Sequence, residues 1–228
     1  MNLNVILQVM QDSTAVAAPT SEKLNLLELM IKGGPIMIVL GLMFVFAVYI
    51  FIERFLTISQ AKKEDSNFMN NIRDCIHDVR VDAANRLCQS TNTPVARMIS
   101  KGLSRVGKPL NDITAAVENE GKLEVARLEK KIAVLATSSG AGPMIGFLGT
   151  VTGMVQAFND MSKAGNNIDI SLLSSGIYEA MITTVGGLVV GIVAYICYNY
   201  LVARISNVVF VLESRTTEFI DVLNEPAN

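Results

Sequence analysis

The stretch "SSGIYEAMITTVGGLVVGIVAYICYNYLV", residues 174–202, holds one carboxylate, Glu179, and two adjacent threonines, Thr183 and Thr184. A carboxylate in hydrocarbon costs about 2.5 kcal/mol or more, so something must offset that cost, or the acid faces a neighbour rather than lipid. An acid beside hydroxyls suits the movement of a proton or cation. The carboxylate can exchange a proton, and a threonine hydroxyl donates and accepts without carrying charge. The alternative is structural, with Glu179 bonding a neighbouring helix or reaching the interface from about two turns inside the stretch. Glu179 and Thr183 share a helical face with Gly186 and Val190, whereas Thr184 lies about 140° from Glu179 around the helix. These groups do not form one clean stripe.

A second apolar stretch, 132–158, carries Thr137, Thr150 and Thr152. A lone membrane threonine usually bonds its own i−4 carbonyl; together with Glu179, Thr183 and Thr184 these hydroxyls imply a polar interior to an assembly. Pro143 removes one backbone hydrogen bond and frees the carbonyl of Ser139, so a kink is expected there, away from lipid. Gly142, Gly146, Gly149 and Gly153 recur at spacings of four, three and four, and Gly187 and Gly191 repeat the device. Such small-residue stripes let another helix approach closely. One stripe can serve packing inside the chain; two favour an oligomer.

These residues need helices to hold them. Of the 228 residues half are hydrophobic and only 18% are charged, against about 25% in soluble domains. Mean hydropathy is +0.40. Residues 34–52, 132–158 and 174–203 are each long and apolar enough for a membrane helix. Between Glu53 and Lys131 lie 14 of the 19 Lys and Arg residues and 11 acids, so 53–131 reads as one water-facing helical domain. Thr93–Pro94 predicts a helix start, and a second helix, from near Asn111, is expected to run unbroken into the span at 132. Lys122, Arg127, Lys130 and Lys131 precede that span, Arg204 and Arg215 follow the last, and loop 159–173 has only Lys163. By the positive-inside rule the N-terminus lies outside and the C-terminus, 204–228, inside. Residues 1–33 are expected to be an external arm rather than a cleaved signal, because no Lys or Arg precedes the apolar run. The expected fold is thus an all-α integral membrane protein with three transmembrane helices and long helices extending into the cytoplasm, N-out/C-in, in an oligomer.

The near-neutral net charge of −2 gives no footing for nucleic acid. Cys75, Cys88 and Cys197 have neither disulfide nor zinc spacing, and His77 beside Cys75 makes no metal site. With no phosphate loop and no nucleophile–base pair, neither enzyme nor cofactor is expected.

"GPMIGFLGTVTGMVQAF" (142–158) followed by "GIYEAMITTVGGLVVGIVAYICYNYLV" (176–202) resembles the MotA/TolQ/ExbB proton-channel family, in its ExbB/TolQ branch. The likeness extends to "LLELMIKGGPIMIVLGLMFVFAVYIFIERFLTI" and "NTPVARMISKGLSRVG" and so covers nearly the whole chain. The MotA branch has a larger cytoplasmic domain and different motifs. The resemblance implies a multi-pass inner-membrane subunit forming a ring, typically a pentamer, around an ExbD-like single-span helix. That helix carries an aspartate that takes up and releases protons, and a TonB-like protein passes the motion to outer-membrane importers. It also implies that Thr150 and Thr184 face the pore and that Glu179 is the family's glutamate of the third span. The alternatives are a TolQ-like role in envelope integrity or cell division, a related motility motor, and a non-conducting membrane scaffold.

Overall fold

The computed structural model describes residues 33–61, 67–163 and 170–225. The expected external arm, Gly33 apart, and the middle of the 159–173 loop fall outside these. Among these described residues seven helices follow in order: α1 Gly34–Ala61, α2 Phe68–His77, α3 Val81–Thr91, α4 Pro94–Leu103, α5 Leu110–Glu129, α6 Ile132–Lys163 and α7 Ile170–Asn224. Three are long and apolar enough to cross a membrane, with windows of mean hydropathy 2.7 in α1, 1.4 in the α5–α6 stretch and 2.1 in α7. This is the all-helical membrane architecture expected.

Gly34, the first residue of α1, at φ +66°, takes a left-handed conformation that glycine reaches without strain, and Pro35 follows it in the first turn. Leu40, Ala47 and Ile50 bury one face of α1 while Ile38, Leu42, Val45 and Phe46 point outward. The start of α4 follows from its sequence: the Thr93 hydroxyl accepts a hydrogen bond from the Ala96 N–H at 3.3 Å, with Pro94 as first helical residue, which satisfies one otherwise orphaned donor.

The charge-rich helices α2–α5 pack on the second half of α7. Phe68 and Ile72 of α2, Cys88 of α3, Ile99 of α4 and Val117 of α5 join Leu212 and Phe219 of α7 in one core. Gly102 lets α4 close on α7, since a Cβ there would stand 2.5 Å from the Phe219 ring and 2.7 Å from Val117. The three cysteines are free. Burial, with a smaller effect of Cys75, pushes the Cys88 thiol up to about 12, so it packs as a neutral group. Glu124 of α5 is only 1% exposed and receives two hydrogen bonds from Arg97 of α4, at 2.8 and 2.6 Å, and one from Arg127. Burial alone would raise its pKa, but those hydrogen bonds and positive charges outweigh it and hold the carboxyl below its ordinary value.

One expectation fails. The helix from Leu110 does not run unbroken into the second span: it stops at Glu129 and restarts at Ile132, with Lys131 at φ +69°. The reason lies in α1. Ending the helix takes from the Arg127 carbonyl its usual donor four residues on, and Arg54 Nη1 donates to it instead, at 3.3 Å. Lys131 turns toward α1 and donates to both oxygens of Glu53, at 2.7 and 2.8 Å, while Arg54 Nη2 holds Glu53 at 2.9 Å. The last apolar helix, by contrast, continues past residue 203: α7 is one helix of 55 residues, about 80 Å long at 1.5 Å per residue.

Candidate functional site: a hydroxyl cluster on a glycine seam

α6 and α7 meet backbone to backbone. A Cβ on Gly142 would lie 3.0 Å from the Gly187 carbonyl oxygen; one on Gly146 would lie 2.9 Å from the Thr183 carbonyl oxygen and 3.0 Å from Gly187 Cα. On Gly191 it would stand 2.6 Å from Pro143 Cδ and 3.0 Å from the carbonyl of Ser139. Gly149 packs on the Thr183 side chain, and a Cβ on Gly153 would lie 3.0 Å from that of Ala180. The glycines expected to form two stripes therefore face each other across one seam. Their number gives no surplus close-packing surface, so the sequence argument from two stripes to an oligomer does not hold. α6 runs through Pro143 without interruption.

Close approach brings three hydroxyls to one carbonyl. Thr184 Oγ1 donates to the Gly146 oxygen at 3.2 Å, and Thr183 Oγ1 and Thr150 Oγ1 each lie 3.4 Å from it. Thr183 also donates to the Ala180 carbonyl at 2.7 Å and Thr150 to the same oxygen at 3.2 Å. The Thr150 and Thr184 hydroxyls hydrogen-bond each other. Thr183 is 2% exposed, whereas Thr150 and Thr184 are half-buried at the open edge of the seam. Adjacent residues Thr183 and Thr184 of α7 thus reach the same Gly146 oxygen, while Glu179, about 140° from Thr184 around the helix, stays apart from it. Each hydroxyl has alternative acceptors within reach, so the bonds can be exchanged by rotation about χ1 without moving the backbone. Thr137 and Thr152, by contrast, bond only carbonyls of their own helix.

Glu179 does not join the cluster. It is exposed, on the α7 face that meets the start of α1, with Oε1 where a Cβ on Gly34 would stand. That position puts a carboxylate at the positive end of a helix dipole. Beside it runs a groove of about 440 Å³, lined by Pro35 of α1, Thr152, Gln156 and Asp160 of α6, and Ser175, Glu179 and Thr183 of α7. Gln156 Nε2 donates to both oxygens of Asp160, at 3.0 Å each. The sequence reading passed over this pair; its signal was a Gln and an Asp four apart at the end of an apolar helix.

The model of the MotA/TolQ/ExbB proton channel family matches residues 90–214, more than half of the chain and all of the hydroxyl seam. The chain belongs to that family. An ExbB-like biopolymer transport protein of Synechocystis sp. is 27% identical over 78% of this chain and 71% of its own length. The biopolymer transport protein ExbB of Pseudomonas putida is 30% identical over 62% of this chain and 40% of its own. The Tol-Pal system protein TolQ of Haemophilus influenzae is 34% identical over 46% and 45%. The likeness is thus to the ExbB/TolQ branch of the MotA/TolQ/ExbB family, whose members are channel and transport subunits rather than classical enzymes.

Proposed function

We propose that this chain is an ExbB-like subunit of the bacterial inner membrane that, with an ExbD-like single-span partner, uses the proton-motive force to energise TonB-dependent import across the outer membrane. The family membership supports a transport-energising subunit of proton-channel type. The observation that carries the finer reading is the cluster at Gly146, with Thr150 and Thr184 at the open edge of the seam, where a helix from outside the chain can approach them. Several copies, typically five, stand around that helix with their seam edges inward, N-termini outside and C-termini in the cytoplasm.

An aspartate brought there by the partner meets hydroxyls and little water. Desolvation disfavours its ionised form, so it is neutralised from the outer side and releases its proton only when rotation or tilting brings it to the inner side. Threonine hydroxyls bridge the gap without adding charge. Repetition around a ring supplies near-equivalent stations, and Glu179, nearer the outer end of α7, serves proton entry.

The test is energy-dependent siderophore uptake in cells carrying Thr184→Val or Glu179→Ala, with protein level and assembly checked. Loss of uptake in assembled complexes is expected; full uptake with both variants refutes the reading and favours a non-conducting scaffold. A TolQ-like role in envelope integrity is the second reading, supported by the TolQ relative. Capture of the full-length chain from native membranes discriminates, through whether ExbD- and TonB-like or TolR- and TolA-like proteins accompany it.

A further inference from the structure

The groove beside Glu179 is more than a packing gap. It runs along one face of α6 from Asp160 to Gly149, eleven residue steps or about 16 Å of helix rise. Its outermost residue, Asp160, lies near the end of α6, beyond the apolar stretch that closes at Phe158. At its inner end is Thr183, whose hydroxyl is 3.4 Å from the Gly146 oxygen shared with Thr150 and Thr184. About 440 Å³ between polar side chains has room for on the order of ten waters, each with partners to bond. An aspartate held at this mouth has its carboxylate oriented at the cost of one partner's side chain, since the single amide nitrogen of Gln156 serves both oxygens. Among the described residues, Glu179 on α7 is the other ionisable group lining the groove, and Lys163 lies three residues further along α6. Among the described residues, α1 contributes Pro35 and Ile36 to the groove, and Gly33 just before it joins them; none of the three is ionisable.

We infer that Asp160, oriented by Gln156, is a proton-collecting residue at the outer mouth of a groove within each subunit, feeding Glu179 and then the hydroxyl cluster. The inference rests on the proton-path reading proposed above and extends it: protons reach the seam from the side, through each copy of the chain, rather than solely down the centre of a ring. A carboxylate in a narrow mouth raises the local concentration of the cation it attracts and so the rate of entry. Asp160 is a positioning and collecting residue, and its loss must be felt most where protons are scarce.

The experiment is proton flux through the complex captured with its native partners, reconstituted in vesicles holding a trapped pH-sensitive dye. The membrane potential is clamped with potassium and valinomycin, and outer pH is varied from acidic to alkaline. Asp160→Asn, which can keep one of the two hydrogen bonds from Gln156 through its remaining amide oxygen, is expected to need about tenfold more outer protons for half-maximal flux, with flux at acidic outer pH close to that of the unaltered complex. Asp160→Glu is expected to restore the profile. A profile for Asp160→Asn that coincides with the unaltered one overturns the inference while leaving the role of Thr150 and Thr184 standing. Flux lowered by the same factor at every outer pH marks a structural role and overturns it too. Absence of flux in the unaltered complex overturns the proton path itself, and this mouth with it.

Discussion

At the scale of single residues, the seam gives each threonine a different expected penalty. Thr150 and Thr184 bond each other and reach across to carbonyls of the opposite helix, so replacing either with Val keeps the shape and removes a relay atom. Thr150→Val and Thr184→Val are each expected to lower energised uptake at least tenfold with assembly unchanged. Thr137→Val, whose hydroxyl serves only the Ala133 carbonyl of its own helix, is expected to leave uptake intact. Gly146 has no such latitude, because a methyl there would press on the Thr183 carbonyl and Gly187 Cα, at 2.9 and 3.0 Å. Backbone cannot rotate away, so Gly146→Ala is expected to destabilise the subunit by about 1–3 kcal/mol, read as a lower melting temperature in detergent. The residue types were legible in the sequence. Their meeting point was not, because helical angles measured about α7 alone do not say where α6 lies against it.

Among the elements, the joint between α5 and α6 is where periodicity misled. Apolar and helix-favouring residues continue across Lys130 and Lys131, and no proline or glycine marks a stop. The break is made by tertiary contacts from α1, through Glu53 and Arg54, which no local signal announces. A left-handed conformation costs a non-glycine residue about 1–2 kcal/mol, so Lys131→Gly trades relief of that strain against loss of the Glu53 contact. Lys131→Ala loses the contact and keeps the strain, and is expected to be the less stable of the two by about 1 kcal/mol in thermal unfolding. The start of α4 was by contrast legible in full, because Thr93 and Pro94 act within one turn of themselves. Between α4 and α5, Glu124 makes packing sensitive to acid. Its pKa is lowered in the folded chain, so its contribution is present above the unfolded value and is lost as pH falls through the folded one. Melting temperature is therefore expected to drop on acidification below the ordinary carboxylate range. Glu124→Gln is expected to abolish most of that dependence while costing roughly 2 kcal/mol at neutral pH.

For the whole molecule, three apolar helices and a charged bundle were legible because hydrocarbon and water sort residues by type over long stretches. How the bundle is tied to the last span was not: α7 carries the seam at one end and the Leu212–Phe219 core at the other in one rigid element. A displacement at the seam is therefore mechanically linked to the charge-rich helices α2–α5. Many large side chains remain exposed along the spans, among them Phe147, Val151 and Met154 of α6 and Met181, Val185 and Leu188 of α7. Faces of this kind suit lipid and neighbouring copies alike, and the ring account assigns part of them to copies. Cross-linking through cysteines placed at Val151 and Val185 is expected to give ladders of the subunit in native membranes, whereas monomers alone would speak against a ring.

The central claim is that protons cross the membrane at the hydroxyls gathered about Gly146. It is tested most directly by dye-reported proton flux through the reconstituted native complex carrying Thr150→Val and Thr184→Val together. The account predicts that flux falls to the level of empty vesicles while the complex stays assembled. Flux equal to that of the unaltered complex would contradict it.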